Sequence, residues 1–273
     1  MSKWNIGREE EKSVEPLSQL NVREVEEALF KDPSPRMLCA CQKDPRRGVR
    51  QLAVRLLKFQ QAQAVEEARI QQMLVEEKKL WQQGFLLLAG IDEAGRGPLA
   101  GPVFASACIL PVRFDLPGLN DSKMLTESRR EKLYSQIQAQ AIDYALGSAE
   151  PAEIDALNIL QATKLAMKRA VEGLKVRPHY LMIDALTLPT VKLPQLPLIG
   201  GDLISATIAA ASILAKVTRD RLMVELDTLY PEYSFSKNKG YGTSEHMKVL
   251  RRLGPCPLHR RSFAPVKRGT SAI

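Results

Sequence analysis

Cysteine and long apolar runs are both scarce in this sequence. Only four of the 273 residues are cysteine, and the spacing of Cys39, Cys41, Cys108 and Cys256 matches no zinc-binding or disulfide framework. Four scattered thiols are typical of the reducing cytosol, so we expect a cytoplasmic protein in which Cys39 and Cys41 are ordinary buried residues. No stretch approaches the roughly 18 apolar residues of a membrane span. The polar first residues, MSKWNIGREEEKS, predict no signal peptide.

The composition is that of a folded globular protein. Hydrophobic residues make up 45% and charged residues 26% of the chain. These fractions exclude a wholly disordered chain, a collagen-like fibre and a coiled-coil rod. The length allows one large domain or two smaller ones.

The net charge of +8 is concentrated near the C-terminal end of the sequence. Residues 1–84 have a net charge of +2 and residues 85–236 a net charge of −2, whereas residues 237–273 hold nine basic and one acidic side chain. This excess indicates a polyanionic partner such as nucleic acid, although a solvated basic tail would give the same pattern. The basic residues are Lys237, Lys239, Lys248, Arg251, Arg252, Arg260, Arg261, Lys267 and Arg268.

Residues 1–84 predict a mostly helical extension. A helix is expected over Leu17–Phe30, and two prolines in Lys31–Pro35 then interrupt it. The segment from Gly48 to Gly84 has no proline and is rich in Gln, Glu, Ala, Leu and Arg, which favour a helical arm. Gly84 is expected to end that arm.

From Phe85 onward the pattern changes to short apolar runs between glycines and prolines, which is typical of buried strands. Strands come first and then alternate with helices, so the fold class is mixed α/β. The predicted strands are Phe85–Ile91, Val103–Leu110, Ile142–Ser148, Tyr180–Asp184 and Leu196–Ile199. The predicted helices are Thr126–Gln140, Ala152–Glu172 with a break or cap at Asn158, Leu203–Tyr230 and Thr243–Arg252.

Two adjacent carboxylates follow the first predicted strand. Burial at the end of an apolar run makes the ionised forms of Asp92 and Glu93 costly, and their charges repel. A hard divalent cation such as Mg²⁺, which prefers carboxylate oxygens, would remove both costs. Taken alone, the dipeptide favours a surface turn with two solvated acids.

Two further acids have a similar setting. Asp184 ends an apolar strand, and Asp202 opens the long helix, where it could simply be an N-cap. Ligands gather at the carboxyl ends of parallel strands, so Asp92 and Asp184 would meet if their strands run parallel. Four converging carboxylates without His or Cys nearby describe an oxygen-only site for two hard metal ions. The natural chemistry of such a site is phosphodiester hydrolysis.

The segment Gly95-Arg96-Gly97 follows the paired acids directly. Its glycines let the backbone approach a ligand closely, and Arg96 supplies a positive group for phosphate. A tight connection between two strands explains the motif alone equally well. Its position after the two acids favours ligand binding.

Four segments resemble signatures of the ribonuclease HII family. They are Ala89–Pro102 (AGIDEAGRGPLAGP), Asn120–Lys123 (NDSK), Gly201–Asp202 with Ala209–Lys216 (AAASILAK), and Lys239–Thr243 (KGYGT). The resemblance implies a ribonuclease H-like fold with a central mixed five-stranded sheet flanked by helices, plus a C-terminal helical segment. It divides the chain into a helical extension (residues 1–84), a catalytic domain including a substrate-binding helical segment (residues 85–265) and a tail (residues 266–273).

The same resemblance implies an endoribonuclease that hydrolyses the RNA strand of RNA–DNA hybrids. Such enzymes also cut 5′ to single ribonucleotides embedded in duplex DNA, leaving 3′-hydroxyl and 5′-phosphate ends. Two divalent ions, Mg²⁺ or Mn²⁺, would be held by the catalytic carboxylates Asp92, Glu93, Asp184 and Asp202. The partners would be hybrids and ribonucleotide-containing duplexes, with no membrane, and we expect a monomer.

The resemblance also assigns substrate contacts. Gly95, Arg96 and Gly97 match the loop that senses the ribose 2′-hydroxyl, which distinguishes RNA from DNA. Tyr241 matches a tyrosine that stacks on the deoxyribose just after the RNA–DNA junction of the substrate. Ordinary packing is the alternative for Tyr241, but the glycines on both sides favour exposure.

Four further residues match positions near the substrate phosphates or the active centre. They are Ser122, Lys123, Lys216 and Arg219. Lys216 and Arg219 could instead form pairs on a helix surface with Asp220 or Glu225. His246 and His259 are expected to be helix-surface and tail residues and not ligands.

Two other functions compete with this one. The sister family, ribonuclease HIII, differs in the loop after the paired acids, and Gly-Arg-Gly favours the HII assignment. A catalytically inactive nucleic-acid-binding protein would be expected to lack at least one acid, and all four are present.

Overall fold

The computed structural model of the chain describes residues 17–269. These residues fall into two compact units, divided between Glu67 and Ala68. That division lies inside the extension predicted for residues 1–84, and the domain limits at residues 84 and 265 stay predictions. None of the helices in the described residues is long and apolar enough to cross a membrane.

The first unit consists of helices. It contains a 3-10 turn (Leu17–Gln19), α1 (Val22–Lys31), α2 (Pro35–Gln42) and the larger part of α3 (Arg47–Met73). Ser34 caps α2, and Pro35 takes the first helical turn, where a missing N–H costs nothing. The two prolines therefore start a helix that the sequence pattern does not predict. The core of the unit is formed by Val25, Leu29, Met37, Leu38, Cys41, Val49, Leu52 and Ala53.

The cysteine prediction for this unit is half right. Cys41 is buried, but Cys39 is exposed because it lies on the outer side of α2. The other two thiols, Cys108 and Cys256, are also buried. Burial raises the pKa of Cys41 and of Cys256, which keeps both thiols protonated.

The predicted helical arm from Gly48 to Gly84 is interrupted once. Helix α3 ends at Met73, and α4 (Val75–Gln82) begins after a break at Leu74. Met73 and Leu74 are buried in the core of the second unit. Gly84 has φ +90°, a left-handed conformation, and the chain leaves α4 there as predicted.

The second unit contains the predicted mixed five-stranded sheet. Its strands are β1 (Leu88–Ala94), β2 (Val103–Ile109), β3 (Asp143–Ala149), β4 (Tyr180–Asp184) and β5 (Gln195–Leu198), in the order β3-β2-β1-β4-β5. The pairs β1–β2 and β2–β3 are antiparallel, and β1–β4 and β4–β5 are parallel. The parallel pairing of β1 with β4 brings their carboxyl ends to the same edge.

Helices cover both faces of this sheet. They are α5 (Glu127–Gln140), α6 (Pro151–Leu157), α7 (Ile159–Glu172), α8 (Gly201–Ile204), α9 (Ala206–Asp227), α10 (Phe235–Asn238), α11 (Ser244–Leu253) and α12 (Ala264–Gly269). Helix α9 packs on β1 and β2, and α7 packs on β2 and β3. A side chain at Gly90 on β1 would overlap the backbone of Thr207 on α9, so a glycine permits this close packing.

The long helix predicted over Leu203–Tyr230 is in fact two helices. Ser205 is extended and caps α9, with its Oγ accepting from the N–H of Ile208 over 3.2 Å. Asp202 therefore lies in the short helix α8 and is not the N-cap of the long helix. The predicted cap at Asn158 between α6 and α7 is confirmed.

Candidate active site

The paired carboxylates lie near the end of β1, beside the end of β4. Asp92 and Glu93 belong to β1, and Asp184 is the last residue of the parallel neighbour β4. One carboxylate oxygen from each of the three residues lies within 4.8 Å of the others. Asp92 is 3% exposed, so this is not the solvated surface turn that the dipeptide alone suggested.

The fourth acid, Asp202, lies beside this cluster, next to a backbone contact to Asp184. Gly201 donates its N–H to Oδ1 of Asp184 over 2.8 Å, which fixes the start of α8 against the end of β4. Asp202 follows directly, is buried, and its Oδ2 accepts from Nζ of Lys123 over 3.3 Å. The structure therefore brings three of the four predicted acids into one group and places Asp202 next to Asp184, outside that group.

Burial and mutual repulsion make the ionised acids costly. Burial raises the pKa of Asp92 well above its ordinary value, and the neighbouring charges of Glu93 and Asp184 raise it further. Burial also raises the pKa of Glu93, which the guanidinium of Arg96 partly offsets. The pKa of Asp202 is raised by burial and by the charge of Asp121. A cation in this cluster would reverse these shifts.

The donors present suit a hard divalent cation. All are carboxylate oxygens, which Mg²⁺ and Mn²⁺ prefer. Oε2 of Glu93 is buried and has no hydrogen-bond partner within the described residues. Its other oxygen, Oε1, accepts from Nη1 of Arg96 over 3.1 Å. A buried carboxylate oxygen without a hydrogen-bond partner is unfavourable unless a bound ligand interacts with it.

The predicted loop and the predicted tyrosine lie next to each other. Gly95 has φ +94°, and a side chain there would overlap the guanidinium of Arg219, so only glycine fits. Arg96 and Gly97 are exposed. A methyl group added at Gly97 would lie 3.7 Å from Cε1 of Tyr241. Tyr241 is 44% exposed, so the exposure expected from its flanking glycines is confirmed.

Ser122 and Lys123 lie beside the acids in different ways. Lys123 is exposed, and its Nζ lies 3.3 Å from Oδ2 of Asp202 and 3.9 Å from Oδ1 of Asp121. Ser122 is buried, and its Oγ lies 2.9 Å from Oγ of Ser212. Ser212 in turn hydrogen-bonds Asp92, so Ser122 stabilises Asp92 indirectly through Ser212.

Lys216 and Arg219 differ from each other. Nζ of Lys216 lies 2.8 Å from Oδ1 of Asp220, so Lys216 forms the alternative helix pair expected with Asp220. A surface pair for Arg219 is wrong, because this side chain is 1% exposed and its donors meet backbone carbonyls. Any role of Arg219 toward the substrate therefore passes through those carbonyls.

The structure adds two polar side chains that the sequence reasoning passed over. Asp121 is 8% exposed and accepts from the N–H of Lys123 over 2.9 Å. It adds a fifth negative charge beside Asp202. The NDSK segment contains Asp121, so its place next to Lys123 was a usable signal. Ser212 lies within the alanine-rich start of α9 and gave no separate signal.

The surface positions predicted for His246 and His259 are wrong, because both side chains are buried. Their Nε2 atoms lie 3.0 Å apart. Nδ1 of His246 lies 2.9 Å from the carbonyl oxygen of Tyr241, and Nδ1 of His259 accepts from the N–H of Cys256 over 3.1 Å. These partners require one proton between the two rings, so both imidazoles are neutral. The pair holds the backbone of Tyr241 in place.

The basic C-terminal residues differ in exposure. Arg260 is fully buried, whereas six others are exposed. The exposed residues are Lys237, Lys248, Arg251, Arg252, Arg261 and Lys267. Part of the predicted tail is helical, since α12 reaches Gly269 and Val266 is buried; residues 270–273 lie outside the described part of the chain.

Comparison with known proteins agrees with the sequence motifs. The family model described as Ribonuclease HII matches residues 89–266, and the model described as Ribonuclease HII N-terminal domain matches residues 21–81. The ribonuclease HII of Desulfitobacterium hafniense (strain Y51) is 66% identical over 251 residues, covering 92% of this chain and 96% of that protein. That of Anaeromyxobacter sp. (strain Fw109-5) is 48% identical over 256 residues, covering 93% and 81%.

A solved structure supports the fold. The ribonuclease H2 of Pyrococcus horikoshii OT3 superposes with a TM-score of 0.57 at 27% identity. The match covers 68% of this chain and 97% of that one. The predicted ribonuclease H-like fold is therefore confirmed.

Proposed function

The chain belongs to the ribonuclease HII family, and we propose that it hydrolyses the RNA strand of RNA–DNA hybrids and cuts 5′ to single ribonucleotides in duplex DNA. The observation that carries the proposal is the cluster of Asp92, Glu93 and Asp184 oxygens within 4.8 Å. The buried Asp202 lies beside them. Such a cluster of acids suits phosphodiester hydrolysis assisted by divalent ions.

Asp92, Glu93, Asp184 and Asp202 would hold two divalent ions, Mg²⁺ or Mn²⁺. When bound, these ions supply Lewis-acid activation of water and neutralise charge on the scissile phosphate. The carboxylates contribute a fixed, water-poor arrangement that needs little reorganisation. Cleavage of the bond between phosphorus and the 3′ oxygen leaves a 3′-hydroxyl and a 5′-phosphate.

Other residues of the chain would orient the substrate. Lys123 carries an exposed ammonium next to Asp202, where it can meet a phosphate of the cut strand. The loop Gly95–Gly97 would contact the ribose 2′-hydroxyl, and the adjacent exposed ring of Tyr241 would stack on the next sugar. The exposed basic side chains after residue 236 would bind the duplex backbone.

We further propose that the protein acts as a monomer in the cytoplasm. Scattered free thiols support the compartment.

The test uses three duplexes of one sequence: an RNA–DNA hybrid, a DNA duplex with one ribonucleotide, and an all-DNA duplex. With Mg²⁺ or Mn²⁺ we expect cuts in the first two and none in the third. The upstream product should be extended by a DNA polymerase, because extension requires a free 3′-hydroxyl. Equal cutting of the all-DNA duplex, or a blocked 3′ end, would contradict the proposal.

A further inference from the structure

Two arginines are the largest fully buried side chains of the described residues. Arg219 on α9 is 1% exposed, and Arg260 before α12 is 0% exposed. Neither forms an ion pair with a carboxylate within residues 17–269. Burying a guanidinium without an opposite charge is costly, and an apolar side chain of similar volume would fill the space more cheaply. Core packing alone does not explain these residues.

Every guanidinium N–H of the two arginines that has a hydrogen-bond partner donates to a backbone carbonyl oxygen. Arg260 donates to the oxygens of Gly95 (2.6 Å), Arg96 (2.9 Å) and Gly101 (3.0 Å). The backbone N–H of Arg260 also donates, to the oxygen of Leu99 over 2.9 Å. The charges are therefore compensated by carbonyl dipoles of one short segment.

Arg219 holds the rest of the same segment. It donates to the oxygens of Ala100 (3.1 Å) and Pro102 (3.0 Å), and to that of Lys239 over 3.0 Å. Lys239 precedes the loop that carries Tyr241, so Arg219 ties the two loops together. Burial lowers the pKa of Arg219, and burial with the Arg219 charge lowers the pKa of Arg260 to about 9. Both groups remain protonated at neutral pH.

The arginines fix which backbone groups the loop presents to the outside. The carbonyls of Gly95 and Arg96 point inward to Arg260. The N–H groups of Arg96 and Gly97 have no hydrogen-bond partner in the part of the chain that the structure describes, and both residues are exposed. A loop whose acceptors are occupied and whose donors are free is suited to bind an oxygen atom.

We propose that Arg219 and Arg260 are positioning residues for ribose selectivity. Their hydrogen bonds hold the carbonyls of residues 95–102 inward and fix the orientation of the loop. The free N–H groups of Arg96 and Gly97 then face the RNA–DNA junction. This inference rests on the proposed function, because it concerns the loop assigned to the 2′-hydroxyl. It extends that function to two residues that touch no substrate themselves.

The test is a single-turnover comparison of Arg260→Met with the unaltered full-length chain. Two quantities are measured: the half-saturating protein concentration for a duplex with one ribonucleotide, and the inhibition constant of the matched all-DNA duplex. Loss of hydrogen bonds to a charged group is worth about tenfold in binding. We expect the first quantity to rise about tenfold, and the second to change less than about twofold, because all-DNA offers no 2′-hydroxyl.

The matched control is Arg221→Met on α9, the helix that carries Arg219. Arg221 is partly exposed and pairs with Glu131, so its removal changes the net charge equally without touching the loop. We expect no change in the ratio of the two constants. If Arg260→Met fails to unfold cooperatively, Arg260→Lys decides. One ammonium cannot span the three carbonyls, so the ratio of the half-saturating concentration to the inhibition constant should rise, as for Arg260→Met, but by about threefold.

An unchanged ratio in the folded Arg260 variant would overturn the inference. So would an equal rise in both constants, since that is the result of a general structural loss. Failure of the unaltered protein to cut the ribonucleotide duplex would instead contradict the proposed function.

Discussion

Oε1 of Glu77 accepts a hydrogen bond from Oγ of Ser205 over 2.6 Å in the interior of the second unit. The same oxygen accepts from the N–H and the hydroxyl of Thr207, each over 3.2 Å. Helix α4 thus supplies a carboxylate to the start of α9, three residues after Asp202. A negative group at a helix N-terminus is favourable, although burial raises the pKa of Glu77.

Glu77→Ala should lower the free energy of unfolding by about 2 kcal/mol, because it leaves buried donors of Ser205 and Thr207 without an acceptor. Urea unfolding followed by circular dichroism measures this. Glu76→Ala is the matched control: Glu76 lies on the same turn and pairs with the exposed Lys79, so its loss should cost less than about 0.5 kcal/mol. Equal effects of the two substitutions would contradict the role of Glu77.

Two truncations should separate the extension from the catalytic unit. Removing residues 1–67 leaves Glu77 and the buried Met73, Leu74 and Leu80 in place. We expect that chain to unfold cooperatively near the melting temperature of the second unit in the intact protein. Removing residues 1–84 deletes those side chains and should lower the melting temperature or abolish the transition. Similar melting of the two truncated chains would show that α4 is dispensable.

Asp92→Asn should abolish cleavage while binding of the hybrid persists. It should also raise stability by about 1 kcal/mol in EDTA, because it removes one charge from a buried, repelling cluster. The wild-type protein should gain more melting temperature from Mn²⁺ than the variant does. Asp115→Asn replaces an exposed acid and is the control. It should change neither the cleavage rate nor the stability in EDTA. A destabilised variant in EDTA would mean that Asp92 is primarily structural.

The buried histidine pair predicts loss of stability in acid. Burial, and the charges of His246 and Arg261, lower the pKa of His259 to about 4; burial also lowers the pKa of His246. A depressed folded pKa favours the neutral form, so this stabilisation is present above pH 6.5 and is lost as the pH falls toward 4. Tyr233 and Cys256 pack against His259 and stay uncharged in this range.

The measurement is urea unfolding of the wild type and His259→Gln between pH 7.5 and 4.5. The buried acids have raised pKa values, and their contribution changes in the opposite direction, so only the difference between the proteins is informative. We expect the variant to be about 2 kcal/mol less stable at pH 7.5 and the gap to close at pH 4.5. A constant gap would contradict neutral, coupled imidazoles.

Local patterns were sufficient for the strands and for the meeting of Asp92 with Asp184. Each acid ends an apolar run, and the parallel pairing of β1 and β4 is the expected arrangement for such an alternation. The break before α9 was missed, because Ser205 is an ordinary residue until its hydroxyl is seen to cap Ile208.

Long-range contacts explain the larger misses. Arg260 lies 165 residues from Gly95, in a basic segment that has the composition of a solvated tail. His246 and His259 also have charged neighbours in the sequence. Only the tertiary packing shows that Tyr233 and Phe235 enclose both rings. Sequence spacing contains no information about such enclosure.

The most direct test of the account is cleavage of an end-labelled DNA duplex with one ribonucleotide, measured against Mg²⁺ and Mn²⁺ concentration for the wild type and Asp184→Asn. Asp184 is chosen because it belongs to β4 and meets the paired acids only in the folded protein. We predict one cut 5′ to the ribonucleotide, no cut in EDTA, no cut in the all-DNA duplex, and at least a hundredfold lower rate for the variant, about 3 kcal/mol. Undiminished cleavage by Asp184→Asn, or cleavage in EDTA, would contradict a divalent-metal site at the carboxyl ends of β1 and β4.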